Sequence, residues 1–523
     1  MTFGNLSVTL FFFACGTLSA ARSAATECHV LDLTAPLFPA VLVPNSQIAR
    51  NSHNDTLFVT NTSLVLNGAP IFPIAGEYHY SRALAGTWAA DLGILRAAGI
   101  TVISTYAFWI HHEEIRGALD WSGSRNLTAF LVEAQAAGLL VSLRIGPYAH
   151  GEARNGGLPD WVIEASCTST CHLRANTSAW MALSEAWYVE VAKQLRGMLW
   201  QQGGPVITVQ LENEESDGTY LVALRDAALR QGIAPPFFTT TGLNVVPLGS
   251  MLPLSGRYAV AFWASWNAKF RESEDYLFQA APFANTSYAP LYCELGAGMQ
   301  SAYHFRVDIL PRDVAADATV AFAASANLGY YMLHGGRNPV SNLTSLNEQQ
   351  AAPWHFASVY DLPVSNYDFS APISEAGEPH GQLPALRALH SLAGDPLLGP
   401  WLAATTPVLP PAGDTPASVK DGATLRWAAR SDGAGGGFLF FNAWAQKQAL
   451  DAHVGVRFNV TRPASAGGLL HIPALSSLGF NVTPAAAAFF FPLRPPLPPP
   501  LVLDYALAQP LAWLPSANKS KCC

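Results

Sequence analysis

Between residues 71 and 345 the hydrophobic positions alternate between two patterns. Short apolar runs of strand length are followed by longer stretches in which apolar residues recur every three or four positions, the spacing of one helix face. The clearest strand is 205–214, where the β-branched run 206–209 follows two glycines and a proline. This alternation predicts a repeating order of strands and helices.

Eight strands are predicted, at 71–79, 101–108, 139–145, 205–214, 237–241, 258–264, 290–294 and 330–334. Helices are predicted between them, at 87–99, 126–137, 178–199, 217–230 and 313–328. Eight such units over roughly 270 residues match the size and order of a (β/α)8 TIM barrel. The predicted fold class is therefore α/β, a TIM barrel followed by a smaller all-β domain.

The remaining pattern predicts the domain boundaries. Period-two segments from residue 423 onward indicate strands, and prolines and glycines separate them. The predicted divisions are a signal peptide at 1–25, N-terminal strands at 26–70, the catalytic barrel at 71–345, an active-site loop and linker at 346–382, and a β-rich domain at 383–523.

Carboxylates stand where two of the predicted barrel strands end. The fourth strand runs into Glu212, Asn213 and Glu214, and the seventh ends at Glu294. Burying an unpartnered carboxylate costs several kcal/mol, roughly, so acids at the ends of core strands need a reason. A solvated strand end is one interpretation. The other is glycoside hydrolysis, which needs one carboxyl as acid/base and one as nucleophile. Strand alternation alone places Glu212 and Glu214 on the same face and does not choose between them.

Composition narrows the class of protein. Of the 523 residues 50 % are hydrophobic and 13 % charged, which excludes a disordered chain, and the net charge of −8 argues against a polyanionic partner. The first 25 residues have the apolar centre and small-residue end of a secretory leader. Nine sequons follow, at Asn54, Asn61, Asn126, Asn176, Asn285, Asn342, Asn459, Asn481 and Asn518.

These features predict the secretory pathway, with an extracellular, cell-wall or lysosomal and vacuolar destination. Cys167 and Cys171 are the predicted disulfide in that oxidising compartment. The run His-His-Glu-Glu at 111–114 lacks the spacing of a helical zinc site and is interpreted as a polar loop. Arg144, inside the third strand, is interpreted as an ion-pair partner of Glu77 or Glu152.

Six motifs in order resemble those of glycoside hydrolase family 35, the β-galactosidases. They are AGEYHYSR at 75–82, TYAFWIHHE at 105–113, LRIGPYAHGEARNGGLPDW at 143–161, GGPVITVQLENE at 203–214, YMLHGGRNP at 331–339 and NYDFSAPISEAGEP at 366–379. The similarity runs from about residue 65 to the end and implies a TIM barrel with a β domain behind it.

The resemblance implies the roles of the site residues. Glu214 would be the acid/base, Glu294 the nucleophile, and Asn213 the contact to the sugar 2-hydroxyl. The remaining substrate-binding residues that it implies are Tyr106, Glu152, Tyr331 and Tyr367. The expected activity is exo-acting, retaining hydrolysis of terminal β-D-galactose from glycans or oligosaccharides, with no metal, no cofactor, no nucleic-acid partner and no stable membrane insertion.

Three positions depart from the family pattern: Ile110, His150 and Phe369. They leave both carboxylates in place but affect the expected substrate preference. Two alternatives to a β-galactosidase therefore remain. One is an exo-hydrolase of another β-linked sugar such as a glucosaminide, and the other is a galactose-binding protein without catalysis. The natural linkage and the oligomeric state do not follow from the sequence. Longer family members carry further β domains, so either those are absent here or the sequence is incomplete.

Overall fold

The computed structural model describes residues 27–37, 39–43, 50–167, 172–240, 251–261, 273–281, 288–303, 307–348, 362–499, 501–510, 513–514 and 521–522. The predicted signal peptide and Cys171 lie outside these residues, so the leader and the Cys167–Cys171 disulfide stay predictions.

Eight parallel strands close into a barrel, which confirms the predicted TIM architecture. In chain order they are Ile74–Glu77, Val102–Tyr106, Leu140–Arg144, Val206–Gln210, Phe237–Thr240, Leu252–Arg257, Leu291–Gly296 and Leu328–Tyr331. Each strand pairs with the next, and the eighth pairs with the first through Leu328–Ile74 and Tyr330–Gly76. The carboxyl ends of all eight strands therefore meet at one mouth.

The sixth strand is where the sequence prediction was wrong. The strand is Leu252–Arg257, whereas 258–264 was predicted; residues 258–261 lie beyond its end and 262–264 lie outside the described residues. Pro253 and Gly256, both depleted in strands, hide the pattern. The pairing with the seventh strand also shifts register between Ser255 and Gly256. A strand with this irregularity does not show the apolar run that marks the other barrel strands.

Helices cover the outside of the barrel. Side chains cap the first turns of three of them: Asn126 accepts from the Ala129 amide at 2.9 Å, Asp217 from the Thr219 amide at 2.9 Å, and Thr177 from the Trp180 amide at 3.4 Å. The α-helices of the described residues are Trp88–Ala97, Trp109–His112, Leu127–Ala136, Asp160–Ser166, Ser178–Gln194, Gly218–Arg230, Pro311–Ala324, Gln382–Gly394 and Leu398–Ala404. Within that part of the chain no helix has the length and apolarity to cross a membrane.

Two four-stranded sheets lie beside the barrel. One contains Thr406–Val408, Trp427–Ser431, Gly437–Asn442 and Ala488–Leu493, and the other contains His453–Thr461, Leu469–Ile472, Phe480–Val482 and Cys28–Asp32. Cys28–Asp32 pairs in parallel with His453–Thr461, so the N-terminal segment is part of a sheet whose other strands follow the barrel in the chain. Smaller sheets are Leu57–Val59 with Leu64–Leu66 and Ala69–Ile71, Gly336–Arg337 with Asn366–Tyr367, and Trp513–Leu514 with Lys521–Cys522.

The four-stranded sheet that contains Trp427–Ser431 and Gly437–Asn442 is buried on both faces. On one face Phe440 and Phe490 pack against Phe322 of helix Pro311–Ala324, with ring centroids 6.2 and 5.9 Å apart. On the other face Trp427 packs against Phe458 of the second sheet at 5.0 Å. The barrel and the sheets therefore share an apolar boundary, and burial of this aromatic surface stabilises their union.

Candidate active site

Arg144 is the cation at the floor of the barrel mouth. It comes from the end of the third strand and is fully buried. Its guanidinium donates to Glu77 Oε2 at 3.1 Å and to Asn213 Oδ1 at 3.1 Å, and it also bonds Glu294 Oε1. The predicted ion pair with Glu77 is confirmed, but the structure adds Glu294. Arg144 thus joins the first, third, fourth and seventh strands beneath the site.

Glu294 at the end of the seventh strand is held from two sides. Besides Arg144, the hydroxyl of Tyr258 donates to Glu294 Oε2 at 3.1 Å. Tyr258 reaches this carboxylate across Gly296, where an added Cβ would lie 2.7 Å from Tyr258 Cδ1. Sequence reasoning missed Tyr258 because it was assigned to the start of the predicted strand 258–264, the end opposite the mouth, whereas the observed strand Leu252–Arg257 ends just before it. The signal that could have found it is the small residue two positions after the carboxylate.

Glu214 stands at the end of the fourth strand and is partly exposed to the mouth. Burial raises the pKa of its carboxyl and the negative charge of Glu294 raises it further, whereas His150, Arg144 and Arg174 lower it. The net shift is upward, so Glu214 keeps its proton to a higher pH than an ordinary glutamate. The two carboxylates of the site therefore have different environments, as an acid and a nucleophile require.

Glu212 points away from the mouth. Its Oε1 accepts from Tyr220 at 2.6 Å and its Oε2 from Arg174 at 3.2 Å, and the side chain is completely buried. Glu212 and Glu214 both have positive φ, +57° and +51°, so the chain has left strand geometry and alternation does not apply. The structure thereby separates the two acids that the sequence pattern alone left equivalent.

Three of the predicted substrate-binding residues form one cluster. Tyr367 bonds Glu152 Oε2, Tyr331 donates to the same oxygen at 3.4 Å, and the two hydroxyls lie 2.8 Å apart. Burial raises the pKa of Glu152, opposed by His150 and by the Tyr367 hydrogen bond. The cluster brings together the loop after the third strand, the eighth strand and the segment Asn366–Tyr367.

The other two predicted residues form a second cluster. The hydroxyl of Tyr106 donates to Asn213 Oδ1 at 3.4 Å, and the Arg144 guanidinium lies 4.0 Å from the Tyr106 ring centroid. His79 stands between the two clusters, its ring 5.4 Å from that of Tyr106 and 5.6 Å from that of Tyr367. Burial lowers the pKa of His79 to about 4, so its imidazole is uncharged at neutral pH. Sequence reasoning assigned it no role.

His150, which departs from the family pattern, lies at the rim. Its Nε2 is 3.6 Å from Glu348 Oε2. Burial opposes its charge, but Tyr148 and the carboxylates of Glu348 and Glu152 outweigh burial and raise the pKa of His150 well above its usual value. A cation at this position lowers the pKa of both Glu152 and Glu214. Phe369 packs its ring against Tyr331 and Tyr367 at 5.5 and 5.4 Å, whereas Ile110 is buried in the short helix Trp109–His112.

Comparison with known protein families identifies the family to which the chain belongs. The model of "Glycosyl hydrolases family 35" matches residues 63–393, more than half of the chain. The chain belongs to glycosyl hydrolase family 35. The resemblance carried by the six motifs is thereby confirmed, and every site residue described above lies inside the matched region.

Curated relatives of the chain are named as β-galactosidases or β-galactosidase-like proteins. The chain is 30 % identical over 355 residues to the Beta-galactosidase-1-like protein of Mus musculus, covering 64 % of this chain and 50 % of that protein. It is 29 % identical over 374 residues to Beta-galactosidase 8 of Oryza sativa subsp. japonica, covering 69 % and 54 %. The chain thus spans about half the length of these curated relatives. A solved β-galactosidase from the psychrophilic Marinomonas ef1 aligns at 11 % identity with a TM-score of 0.40, over 61 % of this chain and 59 % of that one.

Proposed function

We propose that this chain is a retaining, exo-acting β-galactosidase that removes terminal β-D-galactose by a two-carboxylate double displacement. The observation that carries the proposal is the unequal pair at the barrel mouth. Glu294 receives donors from Arg144 and Tyr258, while burial and the charge of Glu294 raise the pKa of Glu214. A galactose-binding protein without catalysis has no need of such a pair.

In the first half of the reaction Glu294 attacks the anomeric carbon and Glu214 gives its proton to the leaving oxygen. The products are the free aglycone and a galactosyl ester of Glu294. In the second half the ionised Glu214 takes a proton from water, and that water releases galactose from Glu294 with its β configuration retained. Asn213, whose Oδ1 accepts from Arg144, presents its amide to the 2-hydroxyl.

Selection of galactose over glucose depends on the axial 4-hydroxyl. The cluster of Glu152, Tyr331 and Tyr367 supplies a buried carboxylate and two hydroxyls for the sugar's far side, and Tyr106 adds a third hydroxyl. A site built on such hydrogen bonds discriminates strongly, because the wrong epimer leaves buried polar groups unpaired. The same chemistry supports a glycan or oligosaccharide as substrate. The apolar leader and the sequons support the secretory pathway as its route.

A panel of nitrophenyl glycosides on the purified protein tests the proposal. The β-galactoside should be cleaved at least about a hundredfold better in kcat/KM than the β-glucoside or β-glucosaminide, roughly 2.7 kcal/mol of transition-state preference. NMR of the first product should show the β anomer. A better rate on the glucosaminide would replace the substrate but keep the mechanism. An α anomer would contradict the double displacement, and no cleavage of any glycoside would indicate a binding protein.

A further inference from the structure

The backbone that carries the proposed acid/base is held in an unfavourable conformation. Glu212 and Glu214 flank Asn213, and both have φ values in the left-handed region, +57° and +51°. Residues other than glycine adopt this region at a cost in free energy, and they persist there only when the surrounding structure holds them. The position of the Glu214 carboxyl therefore depends on whatever fixes this turn.

Arg174 makes the contacts that fix it. Its Nη2 donates to the backbone carbonyl of Asn213 at 2.6 Å, and its Nε donates to Glu212 Oε2 at 3.2 Å. The carbonyl of Asn213 belongs to the peptide whose nitrogen is that of Glu214, so this bond sets the direction in which Glu214 leaves the turn. The guanidinium also lies 4.0 Å from the ring centroid of Tyr148. Arg174 therefore bonds the turn and stacks on the loop after the third strand.

Glu212 completes the arrangement from beneath. The backbone N–H of Asn213 donates to Glu212 Oε2 at 3.2 Å, and the hydroxyl of Tyr220 donates to Glu212 Oε1 at 2.6 Å. Tyr220 is in turn fixed by Trp180, whose Nε1 donates to its hydroxyl at 2.7 Å. A buried carboxylate with this set of donors is a rigid anchor, since its rearrangement would leave several polar groups unpaired.

We infer that Arg174 is a positioning residue for Glu214: with Glu212 it holds the Asn213–Glu214 peptide so that the acid/base carboxyl faces the leaving oxygen. This inference rests on the proposed function, because it assigns Glu214 the proton transfer. It adds a residue of the segment before helix Ser178–Gln194, which no motif of the sequence singled out. Arg174 acts through Glu214 and does not itself touch the reacting atoms.

A series of aryl β-galactosides with increasingly acidic leaving phenols separates this role from a purely structural one. A poor leaving group needs the proton from Glu214, whereas a dinitrophenolate leaves without it. Arg174→Met should therefore lose about tenfold or more in kcat/KM on the least acidic phenol and less than about threefold on dinitrophenyl galactoside. Arg174→Lys should restore part of the loss, because one ammonium keeps the charge but not the fork of donors.

A pH profile gives a second readout. The charged groups that act on Glu214 are Glu294, His150, Arg144 and Arg174. Since Arg174 lowers the pKa of Glu214, its removal should move the basic limb of kcat/KM to higher pH. The control is Arg230→Met. Arg230 lies on helix Gly218–Arg230, which also carries Tyr220, and it makes two exposed hydrogen bonds to Glu185 of helix Ser178–Gln194. This variant should leave both the leaving-group dependence and the basic limb unchanged.

The outcomes decide between the alternatives. An equal loss on every leaving group in a folded Arg174→Met protein, or no loss at all, would overturn the inference. If Arg174→Met does not fold, the decision passes to Arg174→Lys and Tyr220→Phe, which should show the same leaving-group dependence to a smaller degree. Failure of the unchanged protein to cleave any galactoside of the series would instead overturn the proposed function, and the inference with it.

Discussion

Arg144 at the barrel mouth and Arg430 at the boundary between barrel and sheet are both buried, and the two regions surround them with opposite kinds of partner. At the mouth Arg144 is surrounded by carboxylates and amides, among them Glu77 and Glu294. At the boundary Arg430 donates only to neutral oxygens, including the backbone carbonyls of Phe322 and Ser325 at 3.1 and 2.7 Å. The effect on the two guanidinium groups follows from these partners.

Burial disfavours both charges, but the outcome differs. Burial lowers the pKa of Arg430 to about 9, whereas Tyr106, Glu77 and Glu294 outweigh burial and raise the pKa of Arg144. Two of the carbonyls that Arg430 bonds, those of Phe322 and Ala323, belong to the last turn of helix Pro311–Ala324, where they lack helical partners and carry the negative end of the helix dipole. Its other partners are the carbonyl of Ser325, just beyond the helix, and Thr405. An arginine there joins a helix to a sheet. An arginine among acids instead organises charges for chemistry.

The largest effect is expected at the mouth. Glu294→Gln keeps the size of the side chain but removes the nucleophile, so turnover of a nitrophenyl β-galactoside should fall by at least about a thousandfold. The protein should stay folded, because the glutamine oxygen can accept from Arg144 while its NH2 group donates to the hydroxyl oxygen of Tyr258. Steady-state kinetics measures the loss. Azide should restore turnover to a variant with a small residue at 294 and act differently at 214, and a normal rate for Glu294→Gln would remove the assignment of the nucleophile.

Arg430→Met should lower the stability of the protein and leave its turnover nearly unchanged. It leaves buried carbonyls of Phe322 and Ser325 without a donor, so the free energy of unfolding should fall by about 2–4 kcal/mol. The kcat of the folded fraction should change little, because Arg430 is remote from the carboxylate pair. Calorimetry and active-site titration measure the two quantities. A large drop in kcat at unchanged stability would contradict the separation between the two regions.

The fold followed from the sequence where periodicity was regular. Seven of the eight predicted strand segments overlap observed barrel strands, because apolar, aromatic and β-branched residues fill most of each. The sixth does not, since Pro253 and Gly256 interrupt its pattern. The pairing of Cys28–Asp32 with His453–Thr461 spans most of the chain, and local pattern carries no information on such a contact. The predicted domain boundaries stay predictions.

The site followed from motifs only in part. Both carboxylates and their nearest polar residues lie on strand ends, where short-range pattern and family resemblance identify them. Tyr258 directly follows the sixth strand, but the prediction placed that strand at 258–264 and so did not recognise Tyr258 as a strand-end residue. Arg174 reaches the site from the segment before helix Ser178–Gln194, whose position is set by tertiary packing. Sequence pattern also could not distinguish Glu212 from Glu214. The two side chains point in different directions because both residues have positive φ, and this backbone geometry is accompanied by tertiary contacts of Glu212 with Arg174 and Tyr220.

A smaller effect is expected within the mouth, on specificity. Glu152→Gln keeps an oxygen for Tyr331 and Tyr367 but removes the charge that would bind the 4-hydroxyl. The preference for β-galactoside over β-glucoside should therefore fall by about tenfold, while stability changes little. The ratio of the two kcat/KM values measures this, with thermal unfolding as the control. A preserved ratio would place O4 recognition elsewhere in the mouth.

The smallest effect concerns His150, one of the three positions at which this chain departs from the family pattern. The groups that act on Glu214 are Glu294, which raises its pKa, and His150, Arg144 and Arg174, which lower it. His150→Asn removes one of the three positive neighbours, so the pKa of Glu214 should rise. Because Glu214 must be protonated to act as the acid, the basic limb of kcat/KM should move to higher pH, whereas the acidic limb should stay nearly in place. A profile measured over both limbs checks this. A shift of the basic limb to lower pH would mean that His150 acts on Glu214 through its contact with Glu348 rather than through its charge.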